Sequence, residues 1–379
     1  MAARVRVLLD CRMATWTGVG RYTTGLARAL AQMEEVELIQ VSAAGEWPPV
    51  AAASSPDAVG GPPTAPQHIS AAKHPFSLGG ARELSRIARD VSADVIHCPH
   101  FPTPLPTIHP LVVTMHDLTP LVVPGIMPSV TKRLAYRWWN RRAVHVADRI
   151  ITDAAFTVGE IERVFPLARG RVTAIPLGVD DFAAGPVGTL AGSLLALTEN
   201  PYLLSMGSTR GHKDLPTLLS AFAVIAVQRP ELRLLLVGAE DPGYLARELV
   251  NVPAPVRDRI AFTGRVDDNA LRAIMAGAVA FAFPSRYEGF GLPPLEAMAL
   301  GTPTVVASSA SLPEVVGDGA LTFAPGDAAG LAVRLGELLD DADLRARMRR
   351  AGLARSRELT WARSAGETVA VYRRVIGEG

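Results

Sequence analysis

Short β-branched runs alternate with longer helical patterns from one end of this chain to the other, and the rhythm runs through twice. RVRVLLD (4–10) reads as a buried strand, GRYTTGLARALAQM (20–33) as the helix after it, and VELIQVS as the next strand. Further apolar runs stand at DVIHC (94–98), LVVTM (111–115), RIITD (149–153) and RVTAI (171–175), with helical stretches around 78–91, 131–147 and 155–165. The pattern stops near Pro176 and restarts at YLLSM (202–206), continuing through RLLLVG (233–238), RIAFTG (259–264), AVAFAF (278–283) and TPTVVA (302–307). Strand–helix alternation of this kind builds a parallel sheet covered by helices on both faces. Two such passes in 379 residues predict two α/β domains, since single cores stop growing beyond roughly 250–300 residues. Residues 176–200 read as a loose linker between them. Helices at 327–340, 342–358 and 361–376 close the chain, the last turning at Trp361 back toward the first domain.

Composition removes several classes. A chain 49% apolar and 20% charged is not disordered. Lys+Arg 38 against Asp+Glu 37 leaves +1, so no bulk positive field points to nucleic acid. Two cysteines, Cys11 and Cys98, exclude a disulfide scaffold and a four-cysteine zinc site. The opening MAARVRVLLDCRMATW carries an Asp within an apolar run too short for a signal peptide, and no stretch reaches the roughly 20 apolar residues of a membrane span. These features predict a soluble cytoplasmic protein. Residues 43–75, dense in Pro, Ala, Gly and Ser, read as a long loop that is disordered at rest.

The most specific constellation is FAFPSRYEGFGLPPLEAMALG, 281–301. A buried strand ends at Pro284, a loop carries Glu288, glycines 289 and 291 permit close backbone approach, and Pro293 or Pro294 opens a helix. Its free N–H groups and positive end make an anion site. Glu296, eight residues after Glu288, falls in the helix's first turn, so both carboxylates stand where open α/β sheets bind ligands. Taken singly, each Glu also reads as a solvated charge. In SMGSTRGHKDLPTLLSAF (205–222), Arg210 and Lys213 precede a helix that Asp214 caps, an arrangement suited to a diphosphate or simply to a well-capped helix start. TGVGRYTTGL (17–26) places Gly18 and Gly20 between first strand and first helix. Thr23 holds the third glycine's place of a dinucleotide fingerprint, and no acid ends the second strand.

VVTMHDLTPL (112–121) ends a strand with His116 and Asp117, a polar pair that either looks into a crevice or is tied to local backbone. His97 and His100 flank Cys98 at a spacing that matches no strong ligand pattern, and no metal is expected. On TKRLAYRWWNRRAVHVA, Arg133, Arg137 and Arg141 share one face and Trp138 and Trp139 the more apolar arc. The stripe reads as solvated with core tryptophans, or as a membrane-surface or anionic-acceptor patch.

Together these blocks resemble the family 4 retaining glycosyltransferases, nearly end to end. TGVGRY, VVTMHDLTPL, ITDAAFT, IPLGVDDF, GSTRGHKDLPTLLSAF, FTGRVDDNALRAIMAGA and PSRYEGFGLPPLEAMALGTPTVVASSASLPEVVGDGAL fall in the family's order, and E-x7-E with GFGLP is the specific part. The resemblance implies the GT-B architecture, two facing Rossmann-like domains with an inter-domain cleft. An acceptor-side domain would take 1–178 plus 361–379, and a donor-binding domain 199–360. The implied substrates are a UDP-, GDP- or dTDP-sugar, of mannosyl or glucosyl type, and a small-molecule, glycan or lipid acceptor. Glu296 would bond the donor's ribose, Glu288 the transferred sugar, and backbone N–H groups of Phe290, Gly291 and Leu292 the sugar and phosphate. Lys213, helped by Arg210, would neutralise the diphosphate, and Val266 would touch the base. Gly18 and Gly20 would meet the diphosphate from the first domain, and His116 the donor sugar. No cofactor and no divalent metal are implied. The chain departs at Ala154, where relatives commonly carry Ser, and at Ser208, where they often carry Arg. Two rival readings stand beside this one: a nicotinamide-dependent oxidoreductase and a non-catalytic two-lobed sugar-binding protein.

Overall fold

The computed structural model describes residues 4–16, 18–46, 66–127, 129–207, 211–238 and 241–377. They form two compact units: Met1–Leu121, Ser129–Gly178 and Thr360–Gly379 in one, and Val122–Pro128 with Val179–Leu359 in the other.

The first unit holds seven strands: β1 (Val5–Asp10), β2 (Val36–Ala43), β3 (Gln67–Ala71), β4 (Val95–Cys98), β5 (Leu111–Thr114), β6 (Arg149–Thr152) and β7 (Val172–Ala174). Their order is β3-β2-β1-β4-β5-β6-β7, and every pair is parallel. The strand order reverses between β1 and β4. That crevice, at the carboxyl ends of the strands, is where an open α/β sheet takes its ligand. β1, β4, β5 and β6 are almost wholly buried, as strands covered by helices on both faces must be. The closing helix Trp361–Ile376 packs on this unit. A Cβ on Gly25 of the helix Val19–Ala31 would collide with the Trp361 ring, so that glycine sets how closely the two helices approach.

The second unit holds β8 (Tyr202–Met206), β9 (Arg233–Val237), β10 (Ile260–Gly264), β11 (Ala280–Phe283), β12 (Thr304–Ala307) and β13 (Leu321–Phe323). All are parallel, in the order β10-β9-β8-β11-β12-β13, and the reversal falls between β8 and β11. Both units are therefore Rossmann-like. The core of the second unit joins Leu203, Leu234, Ala282 and Val305 of the sheet to Leu218 and Phe222 of the helix Leu215–Ala226.

Three expectations are corrected. The segment 43–75 contains β3, paired with β2 over Ile39–Ala43, because HIS alternation supplies an edge strand; residues 47–65 lie outside the described residues. The stretch 176–200 is not loose. It carries short helices at Asp180–Ala184 and Gly192–Leu197, and Arg272 clamps it, donating to the Pro186 carbonyl at 2.7 Å with its guanidinium 5.2 Å from the Phe182 ring centroid. Trp138 and Trp139 are not core. Trp138 is exposed and Trp139 half-buried, because the helix Val130–Val146 turns Asn140, Ala143 and Val144 inward instead.

Candidate active site

In the second unit the site grows from the β8 and β11 ends. β8 stops at Met206, and Gly207 follows at φ 151 with the Lys213 side chain beside it. The short turn Gly211–Lys213 then leads into the helix Leu215–Ala226. Lys213 sends its ammonium to Glu288 Oε1 at 2.6 Å and lies 5.0 Å from the Phe283 ring centroid. Both partners are partly accessible, their side chains 22% and 15% exposed. A cavity adjoins Lys213, Gly207, Gly238, Phe262, Phe283 and Pro284, at the carboxyl edge of β8 to β11.

Asp214 does not cap the following helix through its side chain. It sits in the left-handed region at φ 52, and its carboxylate accepts from Thr217 Oγ1 and from Arg286 Nε, each at 2.8 Å. This bond and the Arg286 N–H to His212 carbonyl bond (2.7 Å) tie the Lys213 turn to the loop after β11. That loop is pinned further by Ser311, whose hydroxyl reaches the carbonyls of Glu288 and Phe290, both at 2.9 Å.

The helix that follows spans Leu292–Ala299, with Gly291 as its N-cap at φ 112 and Pro293 in its opening turn. A Cβ on Gly291 would stand 2.6 Å from Leu312 Cδ2, so both backbone angle and space require glycine. Because the helix starts at Leu292, Glu296 falls in its second turn rather than its first, and is 2% exposed. Phe290 and Gly291 are buried, Leu292 is half-buried, and Val266 is half-buried between β10 and the Asp267 N-cap of the helix Asp268–Gly277. Arg210 and Ser208 lie outside the described residues.

In the first unit, His116 follows β5. Its Nδ1 is 2.8 Å from Asp153 Oδ2 and its Nε2 3.1 Å from the Pro99 carbonyl oxygen. A carboxylate and a carbonyl both accept, so the geometry favours an imidazolium donating from both nitrogens. Burial by itself lowers the His116 pKa, but Asp153, helped by Asp117 and the Pro99 carbonyl, outweighs it and raises the value above 6.5. The Tyr22 ring packs edge-on at 4.6 Å. Gly18 caps the helix Val19–Ala31 at φ 77, while a Cβ on Gly20 would collide with the Ala14 carbonyl. Ala154 caps the helix Ala155–Val164 without a side-chain bond, so the hydroxyl a Ser would offer that turn is missing.

The structure therefore brings Lys213 and Glu288 into contact, with Phe290, Gly291, Leu292 and Glu296 on the adjoining loop and helix. His116, Gly18 and Gly20 stand at the strand ends of the other unit.

Family models meet the chain in both halves. One described as glycosyltransferase family 4 matches residues 16–181, and one described as glycosyl transferases group 1 matches 190–355. The MMP α-(1→4)-mannosyltransferase of Mycolicibacterium hassiacum is 31% identical over 327 residues, covering 79% of this chain and 75% of that protein. The chain belongs to glycosyltransferase family 4. The O-antigen chain mannosyltransferase B of Escherichia coli is 29% identical over 94% of this chain and 96% of its own length. The sucrose-phosphate synthase of Thermosynechococcus elongatus superposes with TM-score 0.72 at 20% identity, over 99% of this chain and 100% of that one, and so shares the fold. As a family 4 glycosyltransferase the chain is an enzyme, which displaces both the nicotinamide oxidoreductase and the non-catalytic binding protein.

Sequence reasoning missed Asp153, Ser311 and the Arg286–Asp214 pair. Asp153 had a signal, since RIITD ends in an acid just as VVTMH ends in His. Ser311 had none, because its partners are backbone carbonyls more than twenty positions away. His97 has both ring nitrogens engaged, bonding the Thr114 and Tyr372 hydroxyls at 2.7 and 2.6 Å. Among the described residues no cluster of three His, Cys, Asp or Glu side chains is placed to hold a metal ion.

Proposed function

We propose that this family 4 enzyme is a retaining hexosyltransferase that takes its sugar from a nucleoside diphosphate donor without a divalent metal. The observation that carries the reading is the Lys213–Glu288 contact at 2.6 Å, at the strand-order reversal and beside the N-terminus of the helix Leu292–Ala299. A cation and a helix end suit a leaving diphosphate, and a neighbouring carboxylate suits sugar hydroxyls.

In the reaction, the bond between the sugar's anomeric carbon and the β-phosphate oxygen breaks, and a bond to the acceptor hydroxyl forms on the same face. The acceptor's proton passes to the departing phosphate oxygen, so atoms and charge balance. Lys213 and the N–H groups of Gly291 and Leu292 stabilise the negative charge that grows on the leaving group. Glu288 holds sugar hydroxyls and is not the nucleophile, since the acceptor attacks from the leaving group's face and gives its proton to the departing phosphate. Glu296 holds the ribose, and Val266 borders the base. His116, Gly18 and Gly20 serve the sugar and diphosphate from the first unit. That the two relatives named above are mannosyltransferases supports a mannosyl donor over a glucosyl one.

A thermal-shift screen of UDP-, GDP- and dTDP-sugars tests this. The true donor should stabilise the protein as RT ln(1 + [L]/Kd), with NAD inert. Stabilisation by NAD alone would count against the reading. Product anomer analysis by NMR then decides retention.

A further inference from the structure

The helix Val130–Val146 leaves an apolar row in water. Val130, Leu134 and Trp138 are 75%, 61% and 54% exposed, and their i, i+4, i+8 spacing puts them in one row. Trp138 is set against Trp139 in an edge-on pair with centroids 5.0 Å apart, and Trp139 is the more buried ring. The same helix carries Lys132, Arg133, Arg137, Arg141 and Arg142, with no Asp or Glu in its 17 residues. Two of these cations are used internally: Arg142 donates to the Pro104 carbonyl at 2.6 Å and Arg133 to that of Leu121 at 2.9 Å. Lys132, Arg137 and Arg141 form no ion pair with any described residue. At 100° per residue, Arg137 and Arg141 point within the same arc as the exposed apolar row.

Solvation alone accounts for the arginines but not for a Val, Leu and Trp held out among them. A second copy of this chain is a poor occupant, because two such faces would bring like charges together. A fluid anionic surface satisfies both features: apolar side chains enter the acyl boundary, Trp sits at headgroup depth, and long cations reach phosphates. No described helix is long and apolar enough to cross a membrane, so the contact lies in the surface plane. We propose that the helix Val130–Val146 docks the enzyme on an anionic phospholipid bilayer, with Val130, Leu134 and Trp138 inserted and Arg137 and Arg141 on lipid phosphates. This goes beyond the transfer reaction and does not rest on the donor chemistry.

The test is co-sedimentation of the full chain with phosphatidylglycerol–phosphatidylcholine vesicles against pure phosphatidylcholine, at low and high salt. The wild type should bind the anionic vesicles at least about tenfold better, and less at high salt. Leu134→Glu with Trp138→Glu should lower binding roughly tenfold or more, with an unchanged melting curve because both positions are exposed. Arg137→Ala with Arg141→Ala should lower it by about the same factor on anionic lipid. Val227→Glu, at a site 77% exposed in the other unit, should bind as wild type. Failure of the wild type to bind anionic vesicles overturns the proposal. So does undiminished binding by the Leu134/Trp138 variant, which would show adsorption by diffuse charge alone. A concentration-dependent dimer that Trp138→Glu abolishes, without vesicle binding, would assign the face to a second copy instead.

Discussion

Lys213 and Glu288 are 75 positions apart in the chain and 2.6 Å apart in the fold, the cation arriving after β8 and the carboxylate after β11. In this state Glu288 occupies the charge that we assign to the donor's diphosphate. Replacing Lys213 by Ala should cost about 3 kcal/mol of transition-state stabilisation, as the loss of one oxyanion donor does. The fold should persist, since the side chain is partly solvated and its role in the core is small. Steady-state kcat/KM within a factor of two or so of wild type, at normal thermal stability, would remove Lys213 from the reaction.

The two carboxylates should separate in a binding experiment. Glu288→Gln removes the charge that competes with phosphate for Lys213, so free nucleoside diphosphate should bind as well as to wild type or more tightly, while turnover falls. Glu296→Gln should weaken the free nucleotide, because its ribose contact exists with or without the sugar. Losing a hydrogen bond to a charged group there is worth about 1.5–3 kcal/mol. Calorimetry giving both variants the same affinity loss contradicts these roles.

Activity should survive EDTA. The positive charge at the diphosphate is assigned to Lys213 and to the N-terminal N–H groups of the helix Leu292–Ala299, which no chelator removes. Complete loss of turnover with EDTA, restored by added Mn²⁺, is the result that overturns metal independence.

How much of this was legible in the chain depends on how local each signal is. Strand ends such as YLLSM and AFAF declare themselves by composition, and GFGLPP announces a helix start through glycine freedom and proline's missing N–H. The Lys213–Glu288 contact depends on those two ends being neighbours across β8 and β11, a strand order that the alternation leaves open. What hid was non-local or anti-pattern. β3 is five residues at a sheet edge after a Pro-rich stretch, with too little periodicity to outweigh its context. Asp214 reads as a cap from its position, yet a left-handed backbone aims its carboxylate at Arg286 instead. Hydrophobicity leaves Trp138 open between core and a surface patch, and only the burial of Asn140, Ala143 and Val144 decides which face of that helix is covered.

The first unit should lose stability in acid through His97. This ring is fully buried, with Nδ1 on the Tyr372 hydroxyl and Nε2 on the Thr114 hydroxyl, which also meets Tyr22 at 2.8 Å. The chain of hydroxyls ties the closing helix to β4, β5 and the first helix, and it needs a neutral imidazole only in part, since hydroxyls can turn. Burial is what decides: it pushes the His97 pKa down to about 3. The unfolded chain takes up a proton near its ordinary value of 6.5, and the folded chain does not. Above 6.5 His97 therefore adds no pH dependence. Below it, each pH unit should remove up to about 1.4 kcal/mol of stability until the folded group itself titrates near 3. His100, also lowered to about 3, adds to the slope. His116, raised above 6.5, works the other way, but its contribution is complete below 6.5 and is lost only as pH rises through its folded value. The acid limb therefore belongs to His97 and His100. Urea titrations between pH 7 and pH 5 should show the decline, and His97→Gln, which keeps hydrogen bonding without a titrating ring, should flatten it while lowering stability at pH 7. A His97→Gln variant whose acid slope equals that of the wild type would place the proton uptake elsewhere.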